Sequence, residues 1–269
     1  MRILCLGDVV GAPGRAVITK RLPAFIEREQ VDFVVANIEN IVDGSGVNTS
    51  SFRVVRAAGV DVCTTGDHVF RRADVLKLFE NEPQRILRPL NYPVNAAGKG
   101  MTVVEASNGV PVAVINLQGR VFMDPADDPF AAVSAALEGL DAPVVVVDFH
   151  AEATSEKRAM GFYLDGEVAV CFGTHTHVPT ADEEVLPKGT AYVSDIGMSG
   201  PYRSVIGRRA DRVIYSMTTR MYAPFDLATA DVRSTGVLVE VDPEQGIATS
   251  IRRVTLWLDE GEQEGGAGA

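Results

Sequence analysis

The sequence predicts an α/β fold in which parallel strands alternate with helices. Three observations carry that reading. Apolar runs and helix-like segments alternate as β-α-β-α-β over the first 68 residues. Residues 143–150, PVVVVDFH, are an almost unbroken apolar run of buried-strand type. No linker divides the chain before residue 260, so one domain is expected over residues 1–259.

The first strand, Arg2–Leu6, runs straight into Gly7-Asp8. A helix over about 14–29 follows, with Pro23 as an expected kink because proline lacks an N–H. Val31–Glu39, VDFVVANIE, is the second strand. Asn48-Thr49 reads as a helix start and Gly59 as its stop. Val60–Thr65 is the third strand and ends at Gly66-Asp67-His68. Two β-rich runs lie between Ile86 and Leu117, around the AAGKG and SNGVP turns. Phe130–Leu140 reads as a helix, Pro143–His150 as a strand, and Glu167–Phe172 as a strand leading into GTHTH. Gly236–Val241 and Ala248–Thr255 are β-rich and are expected to close a second sheet. The Gly- and Glu-rich stretch 260–269 is expected to be a disordered tail.

Bulk properties narrow the function. A net charge of −11 argues against a groove that tracks a long nucleic acid, which needs clustered Lys and Arg. It leaves room for a small phosphorylated substrate, because bound cations invert the local charge. Cys5, Cys63 and Cys171 are far apart in apolar runs and read as buried thiols, with no disulfide frame. The first apolar run breaks at Gly7-Asp8, which does not suit a secretory leader, and no run approaches the roughly 18 residues of a membrane span. The expectation is a soluble, cytoplasmic protein with no membrane partner; a homo-oligomer is left open.

Metal-type residues recur just after apolar strands. Asp8 follows the first, Glu39 and Asn40 the second, and Asp67 and His68 the third. His150 ends the 143–150 strand, and His175 and His177 follow the CFG run. In open α/β sheets, ligands bind beyond the carboxyl ends of the strands, so these residues are expected to converge at one sheet edge. The chain has only four histidines, and all four sit at such ends. An extended His175-Thr176-His177 would send both imidazoles to one side, towards neighbouring metals. Glu39 is hard to dismiss, since an unpaired carboxylate closing an apolar strand is costly. Glu and His ligands suit Fe, Mn, Zn or Co.

The succession GD at 7–8, NIEN at 37–40, GDH at 66–68, His150 and GTHTH at 173–177 resembles the calcineurin-like metallophosphoesterases. More closely, it resembles their YmdB-like branch, bacterial phosphodiesterases active on 2′,3′-cyclic nucleotides. The resemblance runs from MRILCLGDVVGAPGR to DIGMSGP at 195–201. It implies a four-layer α/β sandwich, two β-sheets flanked by helices, with a di-metal centre on its strand-end loops. Asp8, Asn40 and His177 would bind one metal, Asp67, His150 and His175 the other, and Glu39 would bridge them. A bridging hydroxide would attack phosphorus, and His68 would protonate the leaving oxygen. The substrate implied is a small cyclic nucleotide. A phosphatase for monoesters and a regulatory protein that binds a nucleotide with the same centre are the alternatives. The substrate-binding residues stay open.

Three positions depart from the wider pattern. Val10 stands where the superfamily carries His, so Asn40 must fill that place; Glu39 replaces the usual bridging Asp; Asp67 stands where Asn is more common. Three carboxylates and a hydroxide carry four negative charges, which two divalent ions only cancel. Charge counting therefore leans towards two iron ions, one of them trivalent, with a mixed Fe/Mn pair, Mn or Zn as alternatives. GDVVGAPGR has Gly7, Gly11 and Gly14, but not the G-x-G-x-x-G spacing of a dinucleotide site. Arg15 reads either as a phosphate contact or as a solvated helix-start residue. Asp148 could orient His150 or form a salt bridge, and Asp195–Gly200 is either a substrate-side loop or a plain turn.

Overall fold

The structure is a computed structural model that describes residues 1–259; the stretch expected to be a tail, 260–269, lies outside the described residues. The first third contributes β1 (Arg2–Leu6), β2 (Asp8–Val9), α1 (Gly11–Glu29), β3 (Phe33–Asn37), α2 (Thr49–Ala57), β4 (Val62–Thr64) and α3 (Val75–Asn81). The middle adds β5 (Met101–Glu105), β6 (Pro111–Gln118), α4 (Pro129–Leu137), β7 (Val144–His150), α5 (Thr154–Tyr163) and β8 (Val170–Thr174). The last third adds β9 (Glu184–Val185), β10 (Ala191–Val193), β11 (Met198–Pro201), α6 (Ala210–Thr219), β12 (Val232–Asp242) and β13 (Ile247–Trp257).

These strands form two sheets. The first runs β2-β11-β12-β1-β3-β4, with β13 also paired to β12. The second runs β5-β6-β7-β8-β10-β9. The crossovers through α1 and α2 make β1, β3 and β4 parallel, as the alternation requires. β12 lies antiparallel beside β1. The two C-terminal β-runs thus join the first sheet rather than close the second. β12 reaches that place because it is buried along nearly its whole length and fills the slot beside β1.

Side-chain alternation decides the layering. On β1, Leu4 and Leu6 face α1, α2 and α3, whereas Ile3 and Cys5 face the other sheet. On β6 and β7, Val112, Val114, Val144 and Val146 meet them, while Ala113, Ile115, Val145 and Val147 pack with Val133 of α4 and Met160 of α5. The result is the four-layer sandwich, helix–sheet–sheet–helix. Helices cover only the outer face of each sheet and the inner faces bury one another, as the expected two sheets flanked by helices require.

Local chemistry sets the ends. α1 starts at Gly11, earlier than expected, and continues through Pro23 to a left-handed Gln30. The Asn48 side chain caps α2 by accepting from Ser51 N at 2.8 Å. Among the described residues, no helix is long and apolar enough to cross a membrane. Cys5, Cys63 and Cys171 are buried free thiols, and burial pushes Cys63 and Cys171 up to about 12.

Candidate metal centre

The parallel strands of both sheets end on one side, so the site forms at an edge shared by two sheets rather than at the edge of one. β1, β3 and β4 come from the first sheet, and β7 and β8 from the second. Glycines let the ends close up. A Cβ on Gly7 would lie 2.0 Å from Gly197 O, and one on Gly66 would lie 2.1 Å from His150 Cδ2. A Cβ on Gly14 would lie 2.2 Å from Ser199 O. The glycines of GDVVGAPGR thus include two that serve close packing against the β11 segment.

All eight residues singled out by the sequence meet here. Glu39, Asp67, His150 and His175 each bring one ligand atom within 4.8 Å of the others, a group that could hold a metal ion. His150 Nε2 is 3.3 Å from Glu39 Oε1 and 3.2 Å from Asp67 Oδ1. His175 Nδ1 is 3.4 Å from Asp67 Oδ1 and 3.0 Å from His150 Nε2. Beside this group, Asn40 Nδ2 lies 3.1 Å from Glu39 Oε1 and 3.2 Å from His177 Nε2. His177 Nε2 is 3.7 Å from Asp8 Oδ1. Glu39 Oε1 therefore touches both halves of the cluster. His68 packs against both as well, with Nδ1 2.8 Å from Asn40 Oδ1 and Nε2 3.5 Å from Asp67 Oδ2.

Hydrogen bonds and close contacts orient the histidine rings. Thr174 Oγ1 donates to Asp148 Oδ1 at 2.7 Å, so it accepts from His150 Nδ1 at 2.9 Å. That leaves His150 Nε2 facing Asp67 Oδ1 at 3.2 Å and Glu39 Oε1 at 3.3 Å. The carbonyl of Ile206 can only accept, so His177 Nδ1 donates to it at 3.0 Å, and Nε2 accepts from Asn40 Nδ2 at 3.2 Å. His175 Nε2 lies 3.3 Å from Glu152 Oε2, while Nδ1 faces His150 Nε2 at 3.0 Å. Three imidazole nitrogens thus point into one cluster of carboxylates, a donor set that a cation would use.

Electrostatics agrees with that need. Asp8 Oδ1 is buried and has no hydrogen-bond partner among the described residues. Burial pushes the Asp8 carboxyl up. Burial also opposes charge on Glu39 and His150, yet their mutual attraction holds Glu39 low and His150 well above its ordinary value. Asp67 is held low by His150 and His175 against the effect of its burial. The residues present therefore fit bound cations: an orphaned carboxylate oxygen of Asp8 and the imidazole nitrogens of His150, His175 and His177 converge on one cluster.

Several local expectations change. His175 and His177 are not extended; both have positive φ, 96° and 64°. The turn, not strand alternation, sends one to each half of the cluster. Among the described residues Asp148 makes no salt bridge; it accepts from Thr64, Thr174 and Asn37 and reaches His150 through Thr174. Arg15 is half-buried and donates Nη1 to the Ile41 carbonyl, bracing the turn that carries Glu39 and Asn40. Residues 195–200 are buried, so they do not form a substrate-side loop.

A cleft of about 300 Å³ opens onto the cluster, lined by Val10, His68, Glu152, Ile206 and Arg208 among others. Sequence reading missed Glu152, Ile206 and Arg208. Glu152 lies two residues past His150, and that proximity was its only signal. Ile206 and Arg208 come from a segment with no strand-end motif.

Residues 4–254 match the family model described as YmdB-like protein. The chain is 39% identical over 258 residues to the 2′,3′-cyclic-nucleotide 2′-phosphodiesterase of Bacillus subtilis (strain 168), covering 95% of this chain and 97% of that protein. It superposes on a hypothetical protein from Thermus thermophilus with TM-score 0.90 and 40% identity, covering 96% and 99% of the two chains. A novel phosphatase from Mycoplasma pneumoniae gives TM-score 0.89 and 32% identity, with 96% and 93% covered. These matches run along nearly the whole chain and include every strand end that builds the cluster, and by them the chain belongs to the YmdB-like protein family.

Proposed function

We propose that this chain is a phosphoric diester hydrolase that opens 2′,3′-cyclic nucleotides at a two-metal centre. The observation that carries the reading is the position of Glu39. Its Oε1 contacts His150 on one side and Asn40 on the other, as a carboxylate shared by two sites must. Asp8, Asn40 and His177 would hold one cation, Asp67, His150 and His175 the other. The 39% identical Bacillus subtilis protein, a 2′,3′-cyclic-nucleotide 2′-phosphodiesterase, supports the substrate class.

When bound, such ions supply an activated water and neutralise charge on the phosphoryl oxygens. The side chains do the rest. His68 Nδ1 lies 2.8 Å from Asn40 Oδ1 and Nε2 lies 3.5 Å from Asp67 Oδ2, so an imidazolium here would give one proton to Asn40 and carry the other on Nε2. His68 lines the cleft, and from there it donates that proton to the departing ribose oxygen. With Asp8, Glu39 and Asp67 giving three negative charges, an iron pair containing one trivalent ion suits an anionic substrate; a mixed Fe/Mn pair, Mn or Zn are the alternatives.

The reading is tested by turnover of purified protein on 2′,3′- and 3′,5′-cyclic nucleotides and on phosphomonoesters, with and without chelator. Chelator-sensitive opening of the 2′,3′-cyclic substrates supports it. Turnover of monoesters alone makes the protein a phosphatase, and nucleotide binding without turnover makes it a regulatory protein.

A further inference from the structure

We infer that the buried Lys157–Asp195 ion pair is a positioning device that holds the GTHTH turn in the backbone shape its two histidines need. The inference rests on the proposed reading of His175 and His177 as metal ligands. Neither histidine is glycine, yet both sit at positive φ, 96° and 64°, a conformation L-residues adopt only when their surroundings impose it. Thr176 stands between them, and its backbone is tied down from below. Asp195 Oδ2 accepts from Thr176 N at 3.2 Å and from Thr176 Oγ1 at 2.8 Å. The same oxygen accepts from Lys157 Nζ at 2.7 Å, and Oδ1 accepts from Gly197 N at 2.8 Å. The Asp195 carbonyl then accepts from Thr180 N at 3.0 Å, so both ends of 176–180 are pinned to one residue.

Lys157 reaches this carboxylate from α5, and both partners are almost fully buried, at 3% and 1% side-chain exposure. A buried charge persists only when it is paired and hydrogen-bonded, and here the carboxylate is saturated by four donors. Gly173, the first residue of the motif, is shaped by the same device. A Cβ there would lie 1.8 Å from Ser194 O and 2.9 Å from Lys157 Cδ. The pair touches neither the cleft nor the ligand nitrogens. It acts through the Thr176 backbone.

The test compares Lys157→Met, Thr176→Val and the conservative Thr176→Ser. Leu22→Ala, in α1 across the other sheet, serves as a control for lost stability. Amide hydrogen exchange over residues 173–178 is measured in metal-free protein, and affinity for added Mn²⁺ or Co²⁺ is measured by titration. Lys157→Met and Thr176→Val should speed exchange within the turn and weaken metal binding by about 10–100-fold, the range for residues that orient ligands. Thr176→Ser should behave as the parent, and Leu22→Ala should do neither beyond its global effect. If Lys157→Met matches Leu22→Ala in both readouts, the pair is only fold-stabilising and the inference fails. If the parent protein binds no metal, the proposed function fails instead, and exchange in the turn alone decides whether the clamp exists.

Discussion

His68→Ala separates proton donation from metal binding. The imidazole is not one of the four side chains whose ligand atoms converge, and its closest contact is Asn40 Oδ1 at 2.8 Å. Deleting it removes one partly buried hydrogen bond, worth about 0.5–1.5 kcal/mol net. For a chain of this size, that lowers Tm by only a few degrees, at about 2–4 °C per kcal/mol. Both metals should stay. The loss falls on chemistry: a ribose alkoxide leaves poorly unless it is protonated as it departs. Removing a general acid costs about 10²–10⁴-fold in turnover, or about 3–5 kcal/mol of barrier. A nitrophenyl ester expels a stable anion and needs no proton, so it should be hurt far less. The assay measures metal content and turnover on both substrates in one variant. Equal losses on the two would remove His68 from the acid role, and loss of metal would make it a ligand.

Other perturbations test the rest of the site. His150→Ala leaves Glu39 and Asp67 without their buried partner; elemental analysis should find the Asp67 half empty and turnover largely gone, and two metals with full activity would refute the assignment. Asp67→Asn keeps a ligating oxygen and adds one unit of positive charge, so metal should stay and substrate affinity should hold or improve in a binding titration. Cys63 and Cys171, pushed up to about 12 by burial, should resist thiol reagents at pH 8, where about one part in 10⁴ is thiolate, and react once the chain is unfolded.

Much of the site was legible because parallel strands all end on one side. Residue types that ligate metals, placed after apolar runs, therefore share a place whatever the order of strands. Pairing between distant segments was not legible. β7 is buried on both faces, and such a run reads the same in one large sheet as in either of two stacked sheets. Only the insertion of β12 beside β1 and the facing of Cys5 towards Val146 resolve that choice. Backbone shape was equally hidden. His175-Thr176-His177 has the spacing of a strand, and its left-handed turn depends on Asp195, nineteen residues beyond Thr176. Glu152 lies against His175 and Ile206 fixes the tautomer of His177, yet neither belongs to a motif.

Elemental analysis of the purified protein, paired with turnover of 2′,3′-cyclic nucleotide before and after chelation, tests the central claim most directly. Two metal ions per chain, with turnover lost on chelation and restored by adding metal back, is the predicted result. A chain that opens the cyclic ester at full rate with no bound metal would contradict the account.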